Sequence, residues 1–119
     1  MNRKQILNNF FDTIFEISSL EFQLRIWVQG KGPECSSFEE AICHFFDDGD
    51  PILKKYKDYG ITKKQYKLLC KLRNLIEAFL DTVPEIVHEE TEILPNPEWH
   101  KIQKMAKEVL EAFNYKKTD

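Results

Sequence analysis

Three cysteines (Cys35, Cys43, Cys70) and three histidines (His44, His88, His100) are the side chains of this 119-residue chain that could act as nucleophile or general base. Cys43 and His44 are adjacent, so on a helix their side chains diverge by roughly 100° and do not form a nucleophile–base pair. Cys43 and Cys70 flank apolar runs, where a cysteine is small core filler more often than a catalyst. Metal binding needs three or four ligands at closing spacings, and the chain has no HxxxH, no CxxC and no pair of ExxH motifs. His88 with Glu89, Glu90 and Glu92 offers at most a weak cation site. The acidic run Asp47-Asp48-Gly49-Asp50 departs from the calcium-loop template, because Gly49 is misplaced and Pro51 interrupts the ligands. There is no glycine-rich phosphate loop. These residues imply no enzyme, no metal and no cofactor.

The charge pattern is more informative. The net charge is −3, but residues 34–50 hold six acids and no Lys or Arg, and residues 51–73 hold eight bases against Asp58 alone. Residues 74–100 then return to seven acids with no Lys or Arg. Such blocks either neutralise one another inside the fold or set up fields that steer a charged partner. Lys54, Lys55, Lys57, Lys63, Lys64, Lys67, Lys71 and Arg73 allow a rival reading, a helix-turn-helix-like nucleic-acid-binding regulator spanning Pro51 to Leu80. The flanking acids and the overall sign disfavour it. An odd cysteine count without paired motifs argues for reduced thiols in the cytosol. No 18-residue apolar run spans a membrane, and the N-terminus lacks the features of a signal peptide.

The elements that must position these charges read as helices. Ile6, Leu7, Phe10, Phe11, Ile14, Phe15 and Ile17 form a helical stripe. Ser18 with Glu21 has the capping-box spacing for a second helix, with Leu20, Leu24, Trp27 and Val28 inward and Gly30 as its stop. Alternation of Leu20, Phe22, Leu24, Ile26 and Val28 leaves a strand open as the competing assignment. Lys31-Gly32-Pro33 makes a turn, and Ser36 with Glu39 opens a helix carrying Phe38, Ala41, Ile42, Phe45 and Phe46 inward. Asp47 to Asp50 then form an acidic turn, with Asp50 capping a short helix from Pro51 to Tyr59 that Gly60 closes. Thr62 with Gln65 caps the longest helix, Lys63 to about Thr82, ended or kinked by Pro84. Glu89 to Glu92 read as irregular, and Asn96-Pro97 starts the last helix, with a frayed tail from Lys116. Trp27, Tyr56, Tyr59 and Trp99 fall near face boundaries, where they could anchor an interface. The pattern predicts a single-domain, all-α, multi-helix bundle of about five to seven helices over residues 1–119.

The run EFQLRIWVQGKGPECSSFEEAICHFFDDGDPILKKYKDYGITKKQYKLLCKLR, with WHKIQKMAKEVLEAFNY at the end, resembles small bacterial immunity proteins of contact-dependent growth inhibition systems. The nearest group is the helical type that neutralises ribonuclease A-like toxin domains. The resemblance implies a non-enzymatic cytoplasmic inhibitor whose partner is one cognate toxin domain. It supplies no inhibitory motif, so the docking residues follow from charge alone. A ribonuclease holds RNA phosphates in a cationic site, and carboxylates are steered to the same place. Asp47, Asp48 and Asp50, with Glu39 and Glu40 before them, are the expected docking surface. Glu89, Glu90 and Glu92 form a second. The plainer alternative is a solvated turn with one capping Asp.

Overall fold

The computed structural model describes residues 2–31, 36–82 and 90–115. Helix α1 (Arg3–Ser18) opens on a capping box between Asn2 and Gln5. A single turn, α2 (Leu20–Phe22), runs into a π-helical segment, Gln23–Val28, that ends at Gly30 with φ +65°. Helix α3 (Phe38–Lys54) leads to a 3-10 turn, Tyr56–Tyr59, which Gly60 closes at φ +74°. Helix α4 (Lys63–Thr82), the single turn α5 (Glu90–Ile93) and α6 (Pro97–Ala112) complete the chain. The all-α expectation holds, and among the described residues there is no strand.

Helix α6 is central, packing against both α1 and α4, while α1 also packs against α3. Its Trp99 is fully buried and meets the rings of Trp27, Phe38 and Phe79 at centroid distances of 6.1, 5.4 and 5.6 Å. Trp27 and Trp99 are therefore core residues, and neither is an interface anchor. Removing a buried aromatic of this size typically costs about 3–5 kcal/mol. Beside this cluster lies one buried polar node. The Gln23 amide donates to the carbonyls of Glu16 (2.7 Å) and Ile17 (2.8 Å), near the end of α1. Its Oε1 accepts from Trp99 Nε1 (3.1 Å) and Gln103 Nε2 (2.7 Å) on α6. A fully buried amide is tolerated because its hydrogen-bonding capacity is used.

Several boundaries differ from the sequence expectation. Ser19, not Ser18, caps α2, and Ser37, not Ser36, caps α3. Residues 20–28 are helical, so the strand alternative is excluded. Their register is turned, however, because the π segment uses wider bonds, such as Gln29 N–H to the Leu24 carbonyl at 3.0 Å. Residues four apart then align. Phe22 with Ile26 and Gln23 with Trp27 face inward, whereas Leu20, Leu24 and Val28, expected in the core, are exposed.

The acidic turn at Asp47–Asp50 does not form: α3 runs straight through Gly49, Asp50 and Pro51. Asp50 caps nothing, and the short Pro51–Tyr59 helix is instead the end of α3 followed by the 3-10 turn. Gly49 serves close packing. A Cβ there would sit 2.8 Å from Phe10 Cε1 and 3.0 Å from Cζ, so α1 and α3 approach through its missing side chain. Pro51 is tolerated because it removes one hydrogen bond to the carbonyl of Asp47, on the exposed face, less than one full turn before the helix stops. Glu90 and Glu92, expected in an irregular stretch, lie on α5. Gly32, Pro33, Cys35, Val83, Pro84, His88, Glu89 and the tail from Lys116 lie outside the described residues.

Candidate protein-interaction surface

Continuation of α3 rearranges the expected acidic ridge. At roughly 100° per residue, Glu40 and Asp47 nearly coincide on the outermost face, with Cys43 beside them. All three are exposed. Asp48 and Asp50 diverge by roughly 200° about the axis. Asp48 is half-buried at one edge, and Asp50 turns toward α4 on the row that also holds Glu39. Asp47 and Asp50 are thus neighbours about 60° apart, and Asp48 points away from both. Glu39 and Glu40 lie in its first turn, where negative charge is favoured by the helix dipole.

Asp50 is engaged within the fold. Its carboxylate accepts from Arg73 Nε (2.8 Å) and Nη2 (3.4 Å), and Arg73 Nη1 lies 3.0 Å from Glu77. The guanidinium also sits 5.2 Å from the Phe46 ring centroid. The hydrogen bond to Asp50 is the main reason the Arg73 pKa is raised, against opposing desolvation. Both partners are partly exposed, so the pair contributes only about 0–1 kcal/mol. Its effect is to fix α3 against α4.

Glu90 is engaged as well. Its Oε1 accepts from the backbone N–H of Phe38 at 3.3 Å, which brings α5 to the start of α3. Two acidic blocks far apart in sequence therefore adjoin at Glu39, Glu40 and Glu90, with Glu92 exposed on the same short helix. Of the eight acids expected to dock, Glu40, Asp47 and Glu92 face outward without a role inside the fold among the described residues. Glu39 is exposed and partnered, Asp48 is half-buried, Asp50 and Glu90 serve the scaffold, and Glu89 is not among the described residues.

Sequence reasoning missed an apolar feature. Leu20 (43% exposed), Leu24 (43%) and Val28 (40%) form a ridge along α2 and the π segment. One side of it is a shallow groove of ≈ 500 Å³ between Leu20, Leu24, Arg25 and Lys31, and the other opens toward Phe15, Leu110 and Tyr115. The spacing of four is the available signal, and by α-helical periodicity alone it points to an inward stripe.

The chemistry is otherwise sparse. Cys43 is exposed and Cys70 half-buried, and both are free thiols. Among the described residues no cluster of His, Cys, Asp and Glu could hold a metal ion. Among the described residues no helix is long and apolar enough to cross a membrane. The His100 ring nitrogen Nε2 is 2.7 Å from the Leu94 carbonyl, where it secures the start of α6. Neither protein-family models, nor characterised proteins, nor solved structures give a match to this chain.

Proposed function

We propose that the chain is a non-enzymatic immunity protein that binds a cognate bacterial toxin domain, of ribonuclease type, in the cytoplasm. It would cover the toxin's basic active site with the acidic outer face of α3. The observation that carries this reading is the alignment of Glu40 and Asp47 on an exposed helical face, continued at its start by Glu39 and Glu92. Carboxylates about 10 Å apart on a rigid helix offer an electropositive cleft two fixed anions. The resemblance to helical immunity proteins supports the same reading.

The test is co-expression with the C-terminal domain encoded immediately upstream, following growth, RNA integrity and co-purification. Rescue of growth with intact RNA is expected. A toxic upstream domain that this protein neither binds nor neutralises refutes the proposal. Charge reversal at Glu40 and Asp47 together is expected to slow association and flatten its salt dependence, since rim charges act mainly on the on-rate. An unchanged on-rate in a folded variant would move the docking face away from α3.

A further inference from the structure

A second charged face lies on the other side of the Asp50–Arg73 contact. Lys54, Lys55, Lys57, Lys63, Lys64, Lys67 and Lys71 are all exposed, and none forms an ion pair among the described residues. Among the described residues, Arg73 is the one base of this segment that pairs with the acidic blocks. Within the same stretch the single opposing carboxylate is Asp58.

Two features make these lysines one surface. Tyr56 and Tyr66 stack with ring centroids 4.1 Å apart and an interplanar angle of 21°. Tyr56 sits between Lys55 and Lys57, and Tyr66 precedes Lys67, so the stack holds the lysines of the 3-10 turn beside those of α4. The turn is also closed by the Ile61 N–H to Tyr56 carbonyl bond at 3.1 Å. On α4, Lys63, Lys67 and Lys71 recur every four residues along the side opposite the buried Leu69, Leu72 and Ile76, with Lys64 next to them.

The charge is also placed against the helix it stands on. The first turn of α4 carries Lys63 and Lys64 and no acid, whereas α3 begins with Glu39 and Glu40, and α6 with Glu98. Positive side chains at a helix N-terminus add to the positive end of its dipole. An external anion relieves both.

We infer that this face, Lys54 to Lys71 around the Tyr56–Tyr66 stack, binds the phosphate backbone of a nucleic acid. Lysine offers compact point charges that contact phosphates without reading bases, so binding is insensitive to sequence. This surface meets the acidic row of α3 at Lys54, seven residues beyond Asp47, and otherwise lies on the 3-10 turn and α4; it does not depend on the toxin reading.

The experiment measures binding of a labelled 20-nucleotide RNA and a 20-base-pair DNA duplex to the full chain across a salt series. If five lysines contact a single strand, log affinity falls against log salt with a slope of about −3.5, roughly 100-fold weakening from 50 to 200 mM. The triple variant Lys63→Ala, Lys67→Ala, Lys71→Ala is expected to flatten that slope by about 2, with helicity retained in far-UV circular dichroism. Lys101→Ala and Lys104→Ala on α6 are expected to leave it unchanged. Duplex binding with a comparable lysine-dependent slope supports the inference equally. No binding of either polymer at 50 mM salt overturns it, as does a slope unaffected by the triple variant. Tighter binding of a polyglutamate of equal charge overturns it in favour of an acidic protein partner.

Discussion

Replacing Gln23 with leucine separates hydrogen bonding from packing at the centre of the fold. Leucine has nearly the volume of glutamine, so no large cavity is left. Four hydrogen bonds disappear: those to the Glu16 and Ile17 carbonyls and those from Trp99 Nε1 and Gln103 Nε2. Trp99 is completely buried and its indole N–H bonds to no other acceptor among the described residues, and the Ile17 bond is buried too. Each orphaned buried group costs about 1–3 kcal/mol, while burying leucine returns about 1.5–3 kcal/mol. Gln103 is slightly exposed and can turn toward water, which limits its share. The net expectation is a loss of about 2–4 kcal/mol, or roughly 8–20 °C in Tm for a domain of this length. Urea unfolding followed by circular dichroism at 222 nm gives the value. In a Trp99→Phe background there is no indole N–H to strand, so Gln23→Leu should cost about 1–2 kcal/mol less there. A loss under 1 kcal/mol, or equal losses in both backgrounds, would refute the view that satisfied polarity ties α1 to α6.

Gly49→Ala gains about 1 kcal/mol of helix propensity but drives a methyl group against the fully buried Phe10 ring, a strain of about 1–3 kcal/mol. Net destabilisation of up to about 2 kcal/mol is expected in urea, partly relieved by Phe10→Leu in the double variant. Glu90→Ala removes the acceptor at the Phe38 N–H and is expected to cost about 0.5–1 kcal/mol, with faster amide exchange in the first turn of α3. The Tyr115 pKa is raised, first by burial and then by its hydrogen bond to Asp12. The unfolded chain therefore releases this proton before the folded one. The stabilising contribution is complete below about pH 10 and is lost as pH rises above it. The fall in Tm between pH 9 and 11 should accordingly be smaller for Tyr115→Phe than for the parent chain.

Local rules worked where the chain's own neighbours decide the outcome. Thr62 and Gln65 exchange the reciprocal bonds their spacing implies, at 2.9 and 3.1 Å, and Asn96 caps α6 ahead of Pro97. They failed where a distant residue overrides local punctuation. Gly49 and Pro51 read as a turn from sequence, but the close approach of Phe10 uses Gly49 as a packing notch and keeps α3 continuous. The candidate site suffered most from this. A turn would have gathered Asp47, Asp48 and Asp50 into one ridge, whereas a helix keeps Asp47 and Asp50 as neighbours, turns Asp48 away and commits Asp50 to Arg73. Moving the cap from Ser18 to Ser19, together with the π widening, was enough to turn Leu20, Leu24 and Val28 from core to surface. Gln23 alternates with Glu21 and Arg25 between apolar residues, so nothing in the local pattern marks it as the buried one. Its four partners lie on α1 and α6, two helices at opposite ends of the described chain that no local pattern connects.

The pairing of α1 with α6 also bears on how the protein is made. Phe10, Ile14 and Ile17 are fully shielded in the finished molecule, and Tyr115 closes against Asp12 from the far end of the described chain. At about 5–20 residues per second, the ribosome releases α6 roughly 5–20 s after α1. For that interval the part of the α1 stripe that α6 covers stays open, while α3 already meets Phe10 through Phe45 and Gly49. That uncovered surface is the aggregation-prone part of the nascent chain until α6 emerges.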